Sequence, residues 1–124
     1  LEREEVLSPD WDLAKRLREQ PTFHPEVGEV AMGSFRSSQP PNIAGTGYVV
    51  RSLEAALWAF ARADGFETAV LAAVNLGDDA DTTAAVCGQL AGSYWGYGGI
   101  PRHLRDGLVK HDLVDELARR IASR

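Results

Sequence analysis

Apolar residues recur at helical spacing along most of this chain, and no stretch shows the two-residue alternation of a half-buried strand. Ser8-Pro9-Asp10 supplies an N-cap hydroxyl and a proline at the first helical position, with Leu13 and Leu17 following at i, i+4. A first helix ending near Gln20-Pro21 is therefore predicted. Between Pro21 and Gly47, prolines 21, 25, 40 and 41 and glycines 28, 33, 45 and 47 break every period. That pattern predicts a long loop holding at most one short helical turn, and a loop of such length usually has a function.

Val50, Leu53, Leu57 and Phe60 then predict a helix over 48–63 that stops at Gly65, and Phe66, Val70, Ala73 and Val74 predict a second over 66–75 that ends at Gly77. A third opens at Ala80-Asp81 and runs to about Tyr94. Ala84, Gly88 and Gly92 repeat along it at i, i+4. Glycine costs a helix up to about 1 kcal/mol relative to alanine, so this stripe predicts a second helix packed backbone-close against it. Pro101 starts a short turn, and Asp112 caps a last amphipathic helix with Leu113, Leu117 and Ile121 as its apolar stripe. The class is all-α.

At 124 residues the chain fits one domain, 1–124, with a modest core. The formal charge of −5 gives no footprint for a polyphosphate backbone, which argues against a nucleic-acid partner. No apolar run is long enough to span a membrane, and the amino end lacks a signal-peptide layout. Cys87 is the sole cysteine, so no internal disulfide can form and the expected location is cytoplasmic. The chain opens at Leu1 rather than methionine, as one piece of a longer or processed polypeptide would.

The densest chemistry is Asp78, Asp79 and Asp81, followed by Thr82 and Thr83, between two apolar helices. Acidic residues complement the positive end of a helix, and capping accounts for one or two of the three. Three anions this close also suit a cation, and carboxylate and hydroxyl oxygens are the hard ligands that Mg²⁺ or Mn²⁺ prefers. Residues two apart on a helix do not face each other, so Asp79 and Asp81 can share an ion only if the backbone bends between them. Both readings stand on the residues alone. A calcium EF-hand loop starting at Asp79 would need glycine and glutamate where Ala84 and Leu90 stand. The nucleophile loop of haloacid-dehalogenase-like phosphatases follows a buried strand, whereas the lead-in here has helical period.

Several separated stretches resemble the ADP-ribosylglycohydrolase family: Gly45-Thr46-Gly47-Tyr48-Val49-Val50, Leu53-Glu54-Ala55-Ala56-Leu57-Trp58, Asn75-Leu76-Gly77-Asp78-Asp79-Ala80-Asp81-Thr82, Gly88-Gln89-Leu90-Ala91-Gly92-Ser93-Tyr94 and Gly99-Ile100-Pro101. The resemblance implies the C-terminal part of an orthogonal helical bundle with two divalent cations, Mg²⁺ or Mn²⁺, that hydrolyses the link between ADP-ribose and a protein side chain or small conjugate. The family's metal motif, Gly-Gly-Asp-Thr-Asp-Thr, implies Asp79, Asp81 and Thr82 as ligands, with Asp78 and Ala80 as departures. Gly45, Gly47 and Tyr48 lie where the family brings a glycine-containing loop to ADP-ribose, which implies substrate contact; as residues alone, the glycines could equally just shape a loop. The family's other metal motif, Thr-Asp-Asp, is absent from the chain. The resemblance implies that an N-terminal part of the same enzyme supplies it, leaving this chain one half of the dinuclear site. A non-catalytic relative, crystallin-like or merely ADP-ribose-binding, is the alternative. Arg51 could serve a pyrophosphate, although an arginine in a helix's first turn is more commonly solvated. His24, His103 and His111 show no ligand spacing, and Cys87 reads as a buried packing residue.

Overall fold

The computed structural model describes residues 2–8, 10–11, 15–16, 19 and 24–123. Among them there is no strand, and the chain is all helical. The elements are α1 (Arg3–Val6), α2 (Pro25–Ala31), α3 (Ser34–Ser37), α4 (Val49–Arg62), α5 (Phe66–Val74) and α6 (Ala80–Trp95), then a 3₁₀ turn (Tyr97–Gly99), α7 (Arg102–Asp106) and α8 (His111–Ala122).

The helix expected from Ser8-Pro9 falls largely outside the described residues, as do Pro9, Leu13, Leu17, Gln20 and Pro21. The Ser8 hydroxyl does accept the Asp10 N–H at 3.1 Å. The helix that is described, α1, lies upstream of that signal. Arg3 on it reaches back to the C-terminal end of α4, where its Nη1 donates to the carbonyls of Phe60 and Ala63 at 3.3 and 2.6 Å. A cation there adds a donor to the carbonyls at the end of the helix and complements its negative end.

The segment expected to be loop is more ordered than its prolines and glycines suggest. Pro25 opens α2 at a position where its missing N–H costs nothing. Gly33, at φ +92°, makes the sharp turn into α3. Val30 and Phe35 then bury against Val50 of α4, so tertiary packing rather than local period makes this segment helical.

The core is built from small residues. Ala69 and Ala73 of α5 face Cys87 and Ala91 of α6, with Ala56, Ala59 and Phe60 of α4 closing the third side. The buried stripe of α6 is thus Thr83, Cys87 and Ala91, one residue off the glycine register. Backbone-close packing is present, but Gly88 does not mediate it: a Cβ there would meet nothing within 4 Å, and one at Gly92 would only touch Phe66 at 3.9 Å. Leu53 also turns outward, because α4 buries Ser52, Glu54 and Ala55 instead.

Gly65 does not stop α4, which ends at Arg62 with Ala63 as its C-cap; extended at φ −164°, Gly65 is the N-cap of α5. The Thr68 hydroxyl accepts the Gly65 N–H at 3.1 Å and donates to Asp64 at 2.8 Å. Lys110 rather than Asp112 occupies the N-cap of α8, placing Asp112 in the first turn. The expected apolar stripe of α8 is largely exposed, at 48% for Leu113, 45% for Leu117 and 75% for Ile121.

Candidate functional site

The junction of α5 and α6 is a reversal made by two residues in the left-handed region, Gly77 at φ +76° and Asp78 at φ +50°. Glycine takes this conformation freely, and aspartate is among the few other residues that tolerate it. The family motif has glycine at the second of these positions, and the backbone shows why. Asp79 follows as the N-cap of α6 in a non-helical conformation, and Asp81 lies in the first helical turn. The backbone therefore bends at Asp79, ahead of the helical turn that carries Asp81.

The Thr82 hydroxyl donates to Asp79 Oδ1 at 3.0 Å, bringing two of the three expected ligands together. No lysine, arginine or histidine among the described residues pairs with Asp78, Asp79 or Asp81. Nor does any group of three or more His, Cys, Asp and Glu side chains converge among the described residues. The oxygen groups brought together are thus the Asp79 carboxylate and the Thr82 hydroxyl, with Asp81 in the first helical turn. This hard, anionic and uncompensated set fits a divalent cation and falls short of enclosing one. Behind it, the Thr83 hydroxyl is fully buried without a hydrogen-bond partner.

The glycine loop lies directly against this cluster. The Asp79 N–H donates to the Gly45 carbonyl at 2.7 Å. A Cβ on Gly45 would approach the Gly77 carbonyl and Thr83 Oγ1, each to 3.0 Å, so only glycine fits that position without displacement. Gly47 is looser: its Cβ would lie 3.8 Å from Asp79 Oδ2, an ordinary contact. Two motifs about thirty residues apart in sequence therefore form one corner.

Tyr48 ends the loop half-exposed, its hydroxyl donating to Glu26 Oε2 at 2.6 Å. That hydrogen bond, more than burial or charge, raises the phenol pKa above its ordinary value. Arg51 does not reach toward the aspartates as a free cation. Its Nη1 donates to Glu54 Oε2 at 2.8 Å, and this bond, with the carboxylate's charge, raises the guanidinium pKa further. Glu54 is only 3% exposed and also accepts the Ser34 hydroxyl, tying α3 to α4 beneath the loop. In the sequence, Glu54 and Thr83 stand out only as members of longer motifs, and Glu26 does not stand out. A lone acid among the apolar positions of α4 was a usable signal for Glu54; for Glu26 there was none. His103 and His111 sit away from this corner, against Glu67 and Asp112.

The family model for ADP-ribosylglycohydrolase matches residues 2–124. The chain belongs to the ADP-ribosylglycohydrolase family. It is similar to an ADP-ribosylarginine hydrolase Tri1 of Pseudomonas putida (strain GB-1), 35% identical over 99% of this chain and 31% of the relative. A protein of the same name from Serratia proteamaculans (strain 568) is 43% identical over 72% of this chain and 24% of its own length. An ADP-ribosyl-[dinitrogen reductase] glycohydrolase of Rhodospirillum rubrum is 39% identical over 44% of the chain and 18% of that relative. A solved structure, an ADP-ribosylglycohydrolase-related protein complex, superposes with a TM-score of 0.76 at 40% identity, covering 94% of this chain and 41% of that one. The chain spans less than a third of the curated ADP-ribosylarginine hydrolases it matches. As a family member it has the expected helical fold, and no described helix is long and apolar enough to cross a membrane.

Proposed function

We propose that the complete protein hydrolyses the bond joining ADP-ribose to a side chain of a modified protein or to a small conjugate, with arginine the favoured linkage, and that this chain contributes one half of a divalent-cation site. The observation that carries the reading is the corner itself, where the Gly45 carbonyl holds the Asp79 N–H beside carboxylates that no described cation neutralises. The arginine linkage is supported by the names of the relatives similar over most of this chain. A cytoplasmic setting suits a chain whose sole thiol, Cys87, is buried and unpaired.

Asp79, Asp81 and Thr82 would hold Mg²⁺ or Mn²⁺ through oxygen donors, with the remaining ligands supplied by the N-terminal part of the enzyme. Bound there, divalent cations supply a polarised water and charge stabilisation at the cleaved ribosyl bond. The chain's own residues orient the reactants. The Thr82 hydroxyl holds Asp79 Oδ1 and leaves Oδ2 toward Gly47, while Gly45 and Gly47 let backbone approach the ligand closely. Tyr48 offers a half-exposed ring at the edge of the same corner. Fixing the reactants in this way is a large part of what such a site can contribute to rate.

Release of ADP-ribose from ADP-ribosyl-arginine by the complete protein, with and without a chelator, tests the reading. Turnover that the chelator abolishes and Mg²⁺ or Mn²⁺ restores is expected. The isolated chain should bind either ion weakly and gain affinity and activity together when mixed with the N-terminal part. Tight binding of two ions and unaided hydrolysis by the isolated chain would contradict the half-site.

A further inference from the structure

Among the candidate ligand-contacting residues, Tyr48 is fixed from outside its own loop. Its backbone sits between Gly47, whose Cβ would touch Asp79, and the first turn of α4. Its ring projects with 47% of the residue exposed, and its hydroxyl is held at 2.6 Å by Glu26, 22 residues earlier on α2. An exposed tyrosine joined to an ordered carboxylate loses a rotational freedom that it would otherwise keep. The charge on the acceptor makes this bond stronger than a neutral one. Glu26 forms no ion pair with any described residue, so Tyr48 is its only described side-chain partner. The nearby cation, Arg51, is already engaged by Glu54.

We infer that Glu26 is a positioning residue for ligand binding: its carboxylate anchors the Tyr48 hydroxyl so that the ring stands as a preformed wall for the ADP-ribosyl group at the Gly45–Asp79 corner. The inference rests on the proposed function and adds to it a residue on a different element. A preformed wall removes an ordering cost from binding. Loss of the anchor therefore weakens ligand capture while leaving the bond-breaking step intact.

The test uses the complete protein. ADP-ribose affinity is measured by titration calorimetry, with KM and kcat on ADP-ribosyl-arginine, for Glu26→Ala, Glu26→Gln, Tyr48→Phe and the double variant Glu26→Ala/Tyr48→Phe. Glu26→Ala should weaken ADP-ribose binding and raise KM by about tenfold, with kcat changed by less than about twofold. Glu26→Gln, which keeps an oxygen acceptor, should recover most of the loss. The double variant should be no worse than either single one, because the two residues act through one bond. Additive losses, a fall in kcat at unchanged KM, or unaltered binding in Glu26→Ala would overturn the anchor alone. Failure of the unsubstituted protein to bind ADP-ribose would overturn both the anchor and the proposed function beneath it.

Discussion

The carbonyl of Gly45 accepts the N–H of Asp79 at 2.7 Å, fastening the glycine loop to the first residue of the acidic helix start. The bond occupies an N–H that a helix N-terminus would otherwise leave open. It also makes the geometry of the loop depend on that of the aspartates.

The two loop glycines should differ sharply in what they tolerate. Gly45→Ala would drive a Cβ to 3.0 Å from the Gly77 carbonyl and Thr83 Oγ1, so the loop must move off Asp79. Gly47→Ala meets only an ordinary 3.8 Å contact. In the complete protein, Gly45→Ala should lose about 1–3 kcal/mol of stability, as overpacking does, together with most ligand affinity. Gly47→Ala should change stability by less than about 0.5 kcal/mol. Thermal melting and ADP-ribose titration separate the two outcomes.

Asp78 sits at φ +50° beside two further aspartates. Replacing it with glycine relieves the backbone cost and removes a like charge. Asp78→Gly should therefore stabilise the protein by up to about 1 kcal/mol, measured by chemical denaturation. A loss of stability would show that the Asp78 side chain makes a compensating interaction.

Gly88 should behave as an open position. With no atom within 4 Å of a Cβ there, Gly88→Ala should stabilise α6 by about 0.5–1 kcal/mol through helix propensity. Destabilisation by more than about 1 kcal/mol, the lower range of overpacking, would place a neighbour against that face.

The boundaries of α4, α5 and α6 were legible in the sequence because capping and turn residues act locally. The expected spans 48–63, 66–75 and 80–94 each end within one residue of α4, α5 and α6, although Gly65 caps α5 rather than stopping α4 and Gly77 lies beyond the last turn of α5. The facing of the helices was less legible. In α6 the glycines and alanines form several near-equivalent stripes, and only the positions of Ala69 and Ala73 on α5 select Thr83, Cys87 and Ala91. The helices α2 and α3 exceed the one short turn expected because Val30 and Phe35 are held by Val50, which lies beyond the irregular chain that follows α3. The conjunction of Gly45 with Asp79 is likewise tertiary. Periodicity carries no trace of it, and the family resemblance alone supplied the expectation that both motifs serve one ligand.

Burial pushes the Cys87 thiol up to about 11 from an ordinary 9.0. The folded state therefore keeps a proton that the unfolded chain gives up, and this contribution is fully present below about pH 9 and lost as pH rises toward about 11. The melting-temperature gap between the native chain and Cys87→Ala should narrow across that window. A gap independent of pH would contradict the assignment.

The most direct test of the site is Asp81→Ala in the complete protein, with hydrolysis of ADP-ribosyl-arginine measured beside thermal melting. Asp81 is exposed and supports no core residue, so its removal should leave the melting temperature nearly unchanged. It also takes one of two carboxylates from the oxygen set at the start of α6. Turnover should fall by orders of magnitude, with weaker binding of Mg²⁺ or Mn²⁺. Near-normal turnover in a folded Asp81→Ala protein would contradict the claim that this corner is where the ADP-ribosyl bond is broken.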